Sequence, residues 1–153
     1  MTDEKNVMVM AVNSLMFYKA AEVLDKVLRA ASEAGNTQLR AIYFIPHIVN
    51  KSFAVEMAMK AILTKEGIAC AKTHRLDELF ISLPSDLKEA TIVAIKIKFG
   101  NINYDDEIRK IGNAFVEWRY FHEKSNSIEH DFFNVFADVV CQICYQLCNI
   151  TSD

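Results

Sequence analysis

Glycine and proline are scarce in this chain, and their scarcity excludes several common kinds of site. The 153 residues contain four glycines and two prolines. With glycine only at positions 35, 67, 100 and 112, the sequence has neither a dinucleotide-binding glycine fingerprint nor a phosphate-binding P-loop. It also lacks the Gly-x-Ser-x-Gly nucleophile elbow and the His-Glu-x-x-His zinc motif. We therefore expect no cofactor and no metal site.

Long uncharged apolar runs are also missing. Neither 6–18 nor 139–152 reaches the roughly 18 uncharged residues of a membrane span. The N-terminus opens with Asp3, Glu4 and Lys5 and lacks the basic region and cleavage site of a signal peptide. We expect a cytoplasmic protein without membrane association, in which the four cysteines are reduced thiols.

Charge of one sign is not in excess over the whole chain. The net charge of −3 gives no general attraction to nucleic acid phosphates. Between positions 60 and 75, however, Lys60, Lys65, Lys72 and Arg75 outnumber Glu66. Two interpretations stay open for this local patch: a solvated cationic helix end that complements the helix dipole, or a binding surface.

The apolar residues follow a helical period, and the glycines mark where the helices end. Gly35, Gly67 and Gly100 each follow a long periodic segment, where glycine adopts the left-handed conformation of a helix C-terminus. Pro46 is expected to kink or split the second helix, leaving a short lead-in before a long helix. Residues 95–99 alternate like a strand, but no other segment offers that strand a partner. The sequence predicts one all-α domain over 5–150, an up-and-down bundle of four to five main helices plus one short helix, at about 7–34, 37–66, 74–83, 86–99, 105–124 and 128–150.

The densest group of aromatic and polar residues lies at 114–123. It holds the only Trp, three further aromatic residues, Arg119 and His122. Helical spacing puts Phe115, Trp118 and His122 on one stripe, with Arg119 on the neighbouring stripe. The segment is either a core helix with a polar edge or the wall of a site, in which Arg119 holds a phosphate and His122 transfers protons.

A second candidate lies in the most apolar part of the second helix. Between positions 53 and 63 the only charged residues are Glu56 and Lys60, which are four apart and so share a helix face. A buried pair of this kind is either fully networked for structural reasons or lies along a functional groove. His74, between Lys72 and Arg75, belongs to the neighbouring cationic patch.

These segments together resemble the HEPN-domain superfamily. Residues 50–63, then Gly67, then 74–80 resemble its second and third helices, and Trp118-Arg119-Tyr120 within 115–123 resembles a later helix. The resemblance covers nearly the whole chain and depends on the order and spacing of the segments. It implies a compact helical bundle, frequently a homodimer whose two equivalent helices build a shared cleft. The family includes metal-independent ribonucleases of toxin-antitoxin and anti-phage systems, and members without cleavage activity.

The resemblance also assigns roles to particular residues. Active members carry an Arg followed by a His after four to six intervening residues, and some add a Glu-x-x-x-Lys pattern, which Glu56 and Lys60 match. After Arg119 the expected histidine positions hold Lys124, Ser125 and Asn126, whereas His122 is too close. The candidate catalytic residues are Arg119 and His122, and the candidate binding residues are Glu56, Lys60, His74, Arg75, Arg119 and Tyr120.

Three functions therefore remain open at the level of the sequence. The first is a catalytically degenerate HEPN-like domain that binds a nucleotide, RNA or a protein partner through a cleft near Arg119. The second is a metal-independent ribonuclease that uses Arg119 and a shifted His122. The third is a dimeric scaffold in which these groups are structural. The resemblance implies a homodimer and, as possible protein partners, an antitoxin or a nucleotidyltransferase-like protein.

Overall fold

The chain folds as a set of helices, which confirms the predicted all-α class. The computed structural model describes residues 2–113 and 127–151. No strand occurs in these two ranges, and residues 95–99 are helical as predicted. The helices of the described residues are α1 Thr2–Glu33, α2 Thr37–Lys65, α3 Leu76–Ser82, α4 Ser85–Phe99, α5 Tyr104–Ile111 and α6 Ser127–Leu147.

The two longest helices, α1 and α2, form an antiparallel hairpin. Gly35 closes α1 at a φ of 65°, a conformation that glycine adopts without steric cost. Asn36 then caps α2, because its side chain accepts a hydrogen bond of 3.0 Å from the backbone N–H of Leu39. The predicted turn is therefore confirmed, although α1 begins about five residues earlier than the apolar period suggested.

Pro46 does not split α2, so the predicted short lead-in helix is wrong. The helix continues from Thr37 to Lys65 with the proline inside it. Proline removes one backbone donor, which costs a helix most where water cannot reach the freed carbonyl. Here both Pro46 and Ile42, whose carbonyl loses its partner, are solvent-exposed. The side chain of Asn50 also donates to the Pro46 carbonyl at 2.7 Å.

The core lies where α6 packs across the α1–α2 hairpin. Phe132, Phe136 and Cys141 of α6 are fully buried, as are Val55 and Met59 of α2. Cys141 and Cys144 of α6 are free and buried. Burial raises the pKa of Cys141 to about 12, so this side chain remains a neutral thiol.

One buried polar residue links the three helices of the core. The Ser14 hydroxyl of α1 donates to the Ala54 carbonyl of α2 at 2.7 Å and lies 3.0 Å from the Tyr145 hydroxyl of α6. A buried hydroxyl is stable only when such partners are present. Ser14 therefore fixes the register of α1 against α2 and α6.

The small helices α3 and α5 meet at Gly112, where the predicted helix over 105–124 is wrong in part. The helix ends at Ile111, and Gly112 and Asn113 form a turn. The Gly112 carbonyl accepts a hydrogen bond of 2.9 Å from the Leu76 N–H, at the start of α3. The remainder of that predicted helix, 114–124, lies outside the described residues.

One helix meets the length and composition of a membrane span. The stretch Asp3–Glu33 within α1 passes that test among the described residues. A core helix of a soluble protein also passes it. The expected absence of membrane association therefore stays a prediction.

Candidate functional site

The candidate site is built around one buried carboxylate on α2. The Glu56 side chain is 7% exposed, and the Lys60 side chain one turn later is 17% exposed. Their Oε1 and Nζ atoms are 2.7 Å apart, which is the distance of a charge-assisted hydrogen bond. The predicted pairing of these two residues is confirmed in geometry. Neither charge is left unpaired, as burial requires.

His74 completes a three-residue cluster with this pair. Its Nδ1 atom lies 2.9 Å from the same Glu56 oxygen, although the imidazole side chain is 77% exposed. Since the carboxylate can only accept, Nδ1 carries the proton and donates. The neutral ring then presents Nε2 to solvent as an acceptor, and the protonated ring presents it as a donor. A carboxylate that fixes the tautomer of an imidazole in this way is a recurrent feature of proton-transfer sites.

Arg75, the next residue, contacts carboxylates rather than presenting a free charge. Its Nη2 and Nε atoms donate to the two carboxylate oxygens of Asp77 at 2.8 and 3.2 Å, and Nε lies 3.4 Å from Glu78. Asp77 is buried, so this fork-shaped contact anchors the start of α3. The sequence therefore indicated Arg75 as part of the cationic patch but did not predict its pairing with Asp77 and Glu78.

Thr73 organises the loop before α3 without capping the helix. α3 begins at Leu76, two residues after the predicted start at 74, and its N-cap residue is Arg75, whose side chain makes no capping hydrogen bond. The Thr73 hydroxyl instead accepts from the Arg75 N–H at 3.1 Å and donates to Glu78 at 2.6 Å. The loop from 73 to 75 is thereby held in one conformation, which keeps His74 beside Glu56.

The other predicted site residues fall in a part of the chain that is not described. Arg119, Tyr120 and His122 lie outside the described residues. Gly112 and Asn113 end the described range just before them, and the Gly112 backbone is bonded to Leu76, one residue after Arg75. Of the predicted binding residues, the structure brings Glu56, Lys60 and His74 into direct contact, with Arg75 adjacent in the chain.

A wide groove opens beside the buried carboxylate of Asp77. It runs between α3, α4 and α5, has a volume of about 1220 Å³, and also contacts Arg109. Its walls include the exposed apolar side chains of Ile81 and Val93. The groove therefore combines apolar walls with charged borders, but Glu56, Lys60 and His74 do not line it.

Sequence reasoning missed a second polar cluster, between α1, α2 and α6. Lys51, almost completely buried on α2, lies 2.8 Å from Asp138, which also accepts from the Tyr18 hydroxyl at 3.0 Å. These residues line a groove of about 520 Å³. The available signal was Lys51 itself, a charged residue among the buried positions of α2.

His47 lies near this groove and is completely buried. Neither ring nitrogen has a hydrogen-bond partner among the described residues, and Nε2 is 3.8 Å from Asp25. Burial, together with the nearby charge of Lys51, lowers the pKa of His47 to about 4. The imidazole is therefore neutral at physiological pH.

The comparisons with known proteins give one family. No curated protein and no solved structure matches the chain significantly. In the described residues, no three His, Cys, Asp or Glu side chains are grouped as metal ligands. The HEPN domain family matches residues 49–147, a range that contains Glu56, Lys60, His74 and Arg75. Because this match spans more than half of the sequence, the chain belongs to the HEPN domain family.

Proposed function

We propose that this HEPN domain binds the phosphate groups of RNA or of a nucleotide at the surface formed by Lys60, His74 and the neighbouring lysines, and that it does so without cleavage. HEPN domains are in general RNA-binding or nuclease-like. The observation that supports the proposal most directly is the sharing of one Glu56 oxygen by Lys60 and His74. Because both nitrogens contact the same atom, two groups that can donate hydrogen bonds are held side by side at one end of α2.

The charges around this cluster favour an anionic ligand only moderately. Lys60 is neutralised by Glu56, and Arg75 is bonded to Asp77. Lys65 and Lys72 are exposed and make no ion pair with any described residue. They supply positive charge that a phosphate can approach without displacing a carboxylate. Binding of this kind is non-specific and weakens steeply with salt.

The binding test compares variants that each remove one candidate phosphate contact. Lys72→Gln and His74→Ala change exposed side chains, so both variants are expected to fold. Each should weaken binding of a fluorescent single-stranded RNA roughly three- to tenfold at low salt, as expected for the loss of one phosphate contact. The matched control is Arg29→Gln, which removes one charge from an exposed side chain beside Arg40 and Phe44, near the other end of α2.

The outcomes separate binding from other uses of the surface. Equal affinity of all three variants and the wild type would refute the proposed surface. Loss of affinity in Arg119→Ala with no turnover in the wild type would extend the binding surface to the segment beyond Asn113. Absence of any RNA or nucleotide binding, with capture of an antitoxin or nucleotidyltransferase-like protein, would favour the protein-partner alternative.

A second candidate, RNA cleavage, is favoured by one observation. His74 has an exposed imidazole whose Nδ1 is bonded to a buried carboxylate, an arrangement that suits a general base. Metal-free RNA cleavage needs such a base for the 2′-hydroxyl and donors for the charge that develops on phosphorus. Arg119 and His122, the predicted catalytic pair, are the other residues to test.

The cleavage test uses the same RNA and follows its length with time. We expect the wild type to leave the RNA intact. If it degrades the RNA while Arg119→Ala and His122→Ala do not, the nuclease with a shifted histidine is correct. If His74→Ala alone abolishes cleavage and keeps the affinity for RNA, the base is the histidine held by Glu56.

A further inference from the structure

The imidazole of His74 is held at one nitrogen and open at the other. Its Nδ1 atom lies 2.9 Å from a carboxylate oxygen of Glu56, while the side chain as a whole is 77% exposed. The same oxygen is 2.7 Å from the Lys60 ammonium, and the Glu56 side chain is nearly buried. Among the described residues, Nε2 of His74 has no hydrogen-bond partner. This nitrogen is therefore available to a ligand.

The contact with Glu56 determines where the His74 ring gains its second proton. An ionised carboxylate can only accept, so Nδ1 carries a hydrogen in both charge states of the ring. The neutral ring then has its lone pair at Nε2, and protonation must occur there. An acceptor that cannot bond a phosphate oxygen becomes a charged donor that bonds it strongly. The change falls on the one ring nitrogen that a ligand can reach.

The charges around His74 cancel as long as its ring is neutral. The charged groups of the cluster, of the loop that holds it and of the start of α3 are Glu56, Lys60, Lys72, Arg75, Asp77 and Glu78. Three are negative and three are positive. One proton on His74 therefore gives this group of side chains a net positive charge, at the atom that faces the ligand.

We propose that protonation of His74 at Nε2 regulates this surface, so that it binds the phosphates of single-stranded RNA more tightly as the pH falls and more weakly as the pH rises. The inference rests on the proposed function, because it concerns the same site. Binding and protonation are linked in both directions: a phosphate beside Nε2 must favour the proton by the same factor as the proton favours the phosphate.

Few other groups change their charge in the interval from pH 6 to pH 8. Lysine and arginine side chains keep their charge there, and so do the phosphodiesters of RNA. Burial lowers the pKa of both other histidines among the described residues, His47 and His130, so they gain protons at a more acidic pH than an ordinary imidazole. A change of affinity in this interval is therefore a test of His74.

The first experiment measures the affinity for a fluorescent single-stranded RNA at pH 6 and at pH 8, at low salt. All proteins carry Cys70→Ser, because an exposed thiol begins to ionise near pH 8. The protein with His74 intact should bind about three- to tenfold more tightly at pH 6, as expected for one added phosphate contact. His74→Asn keeps an amide that can donate to Glu56 but has no atom in place of Nε2, and it should bind equally at both pH values.

The matched control is Lys72→Gln, which removes a neighbouring charge that does not depend on pH in this interval. It should bind more weakly than the unmodified surface at both pH values and keep the same ratio between them. Circular dichroism at each pH shows whether the proteins are folded, since acid lowers their stability through His47.

Two further measurements separate a charge at His74 from a merely structural role of its ring. Each phosphate contact steepens the plot of log affinity against log salt concentration by about 0.7 for a single strand. The slope should therefore be steeper by about 0.7 at pH 6 than at pH 8, and it should be the same at both pH values in His74→Asn. A ring that only holds the loop would change the affinity without changing the slope.

Nuclear magnetic resonance of the ring nitrogens tests the tautomer directly. At pH 8 without RNA, the hydrogen of His74 is expected on Nδ1, because Glu56 accepts from that atom. At a pH where the ring is partly protonated, added RNA should raise the protonated fraction. A hydrogen on Nε2 at pH 8 would refute the role given to Glu56.

The outcomes distinguish failure of this inference from failure of the proposed function. Absence of RNA binding at both pH values would refute both. RNA binding with the same pH dependence in the presence and absence of His74 would refute the inference and leave the proposed function intact. So would a pH dependence that His122→Asn abolishes and His74→Asn retains, which would assign the proton to the segment beyond Asn113.

Discussion

Replacing Gly112 by alanine should destabilise the protein even though glycine is the poorer helix former. Gly112 has helical dihedral angles, φ −52° and ψ −43°, so alanine gains about 0.5–1 kcal/mol from backbone preference alone. A methyl group at this position, however, would lie 2.5 Å from the Asp77 Cγ atom and closer still to its Oδ1. Carbon atoms in ordinary contact are about 3.5–4.0 Å apart, so a movement of about 1 Å is required.

Asp77 has little freedom to make that movement. Its carboxylate is buried and is bonded by two hydrogen bonds to Arg75. The backbone at the end of α5 cannot easily move away from the start of α3 either, because the Gly112 carbonyl accepts a hydrogen bond from the Leu76 N–H. Overpacking of such a site costs about 1–3 kcal/mol, which exceeds the helix-preference gain in most of that range. We therefore expect Gly112→Ala to lower the free energy of unfolding by about 1–2 kcal/mol.

The assay is urea denaturation of four proteins that form a double-mutant cycle. Asp77→Ala alone should destabilise, because Arg75 loses its partner. In Gly112→Ala with Asp77→Ala, the added methyl group meets no carboxylate, so the glycine replacement should become neutral or stabilising. Additive effects of the two replacements, or a Gly112→Ala protein more stable than the wild type, would refute the steric argument.

Two further predictions concern buried ionisable groups. His47 has a pKa of about 4 in the folded protein against an ordinary value of 6.5, so the unfolded chain binds the proton more tightly. The free energy of unfolding should therefore fall by about 3 kcal/mol as the pH drops from 6.5 through 4. Urea denaturation at several pH values should show that the free energy of unfolding of His47→Phe depends less steeply on pH than that of the wild type. Some dependence should remain, because burial also lowers the pKa of His130. The same dependence on pH in both proteins would contradict the assignment to His47. Glu56→Gln leaves the nearly buried Lys60 ammonium without a counter-ion and should cost about 3 kcal/mol in thermal or urea unfolding. Lys60→Met in the same protein should recover much of that loss, and no recovery would show that the Glu56 charge acts through another group.

Helix ends could be predicted from sequence where the signal is local. Gly35, Gly67 and Gly100 all have positive φ values, and each follows a helix that the apolar period predicted. Gly112 carries no such signal, because its dihedral angles are helical and its role depends on contacts with Asp77 and Leu76. A contact between residues 35 positions apart cannot be inferred from the neighbourhood of either one. The end of α5 was therefore predicted wrongly.

The site divides in the same way between local and distant contacts. Glu56 and Lys60 are one helical turn apart, so their pairing follows from spacing alone. His74 reaches Glu56 across a loop, and Lys51 meets Asp138 from a helix far along the chain. These two contacts form only when the helices pack together, so the sequence spacing does not predict them. The sequence indicated a cationic patch and the pairing of Lys60 with Glu56, but not that Asp77 neutralises Arg75.

That neutralisation determines which of the two functions the described residues serve better. Stabilising the charge of a cleavage transition state needs donors aimed at the phosphorane and not already committed to carboxylates. Lys60 and Arg75 are committed, since Glu56 and Asp77 hold them at 2.7 and 2.8 Å. Reversible phosphate binding does not need such uncommitted donors aimed at phosphorus, because the exposed Lys65 and Lys72 can attract the ligand while the Glu56 cluster positions it. A nuclease built on this surface would therefore require Arg119 as its principal donor. Activity that survives Arg119→Ala would show that a phosphate displaces Glu56 or Asp77.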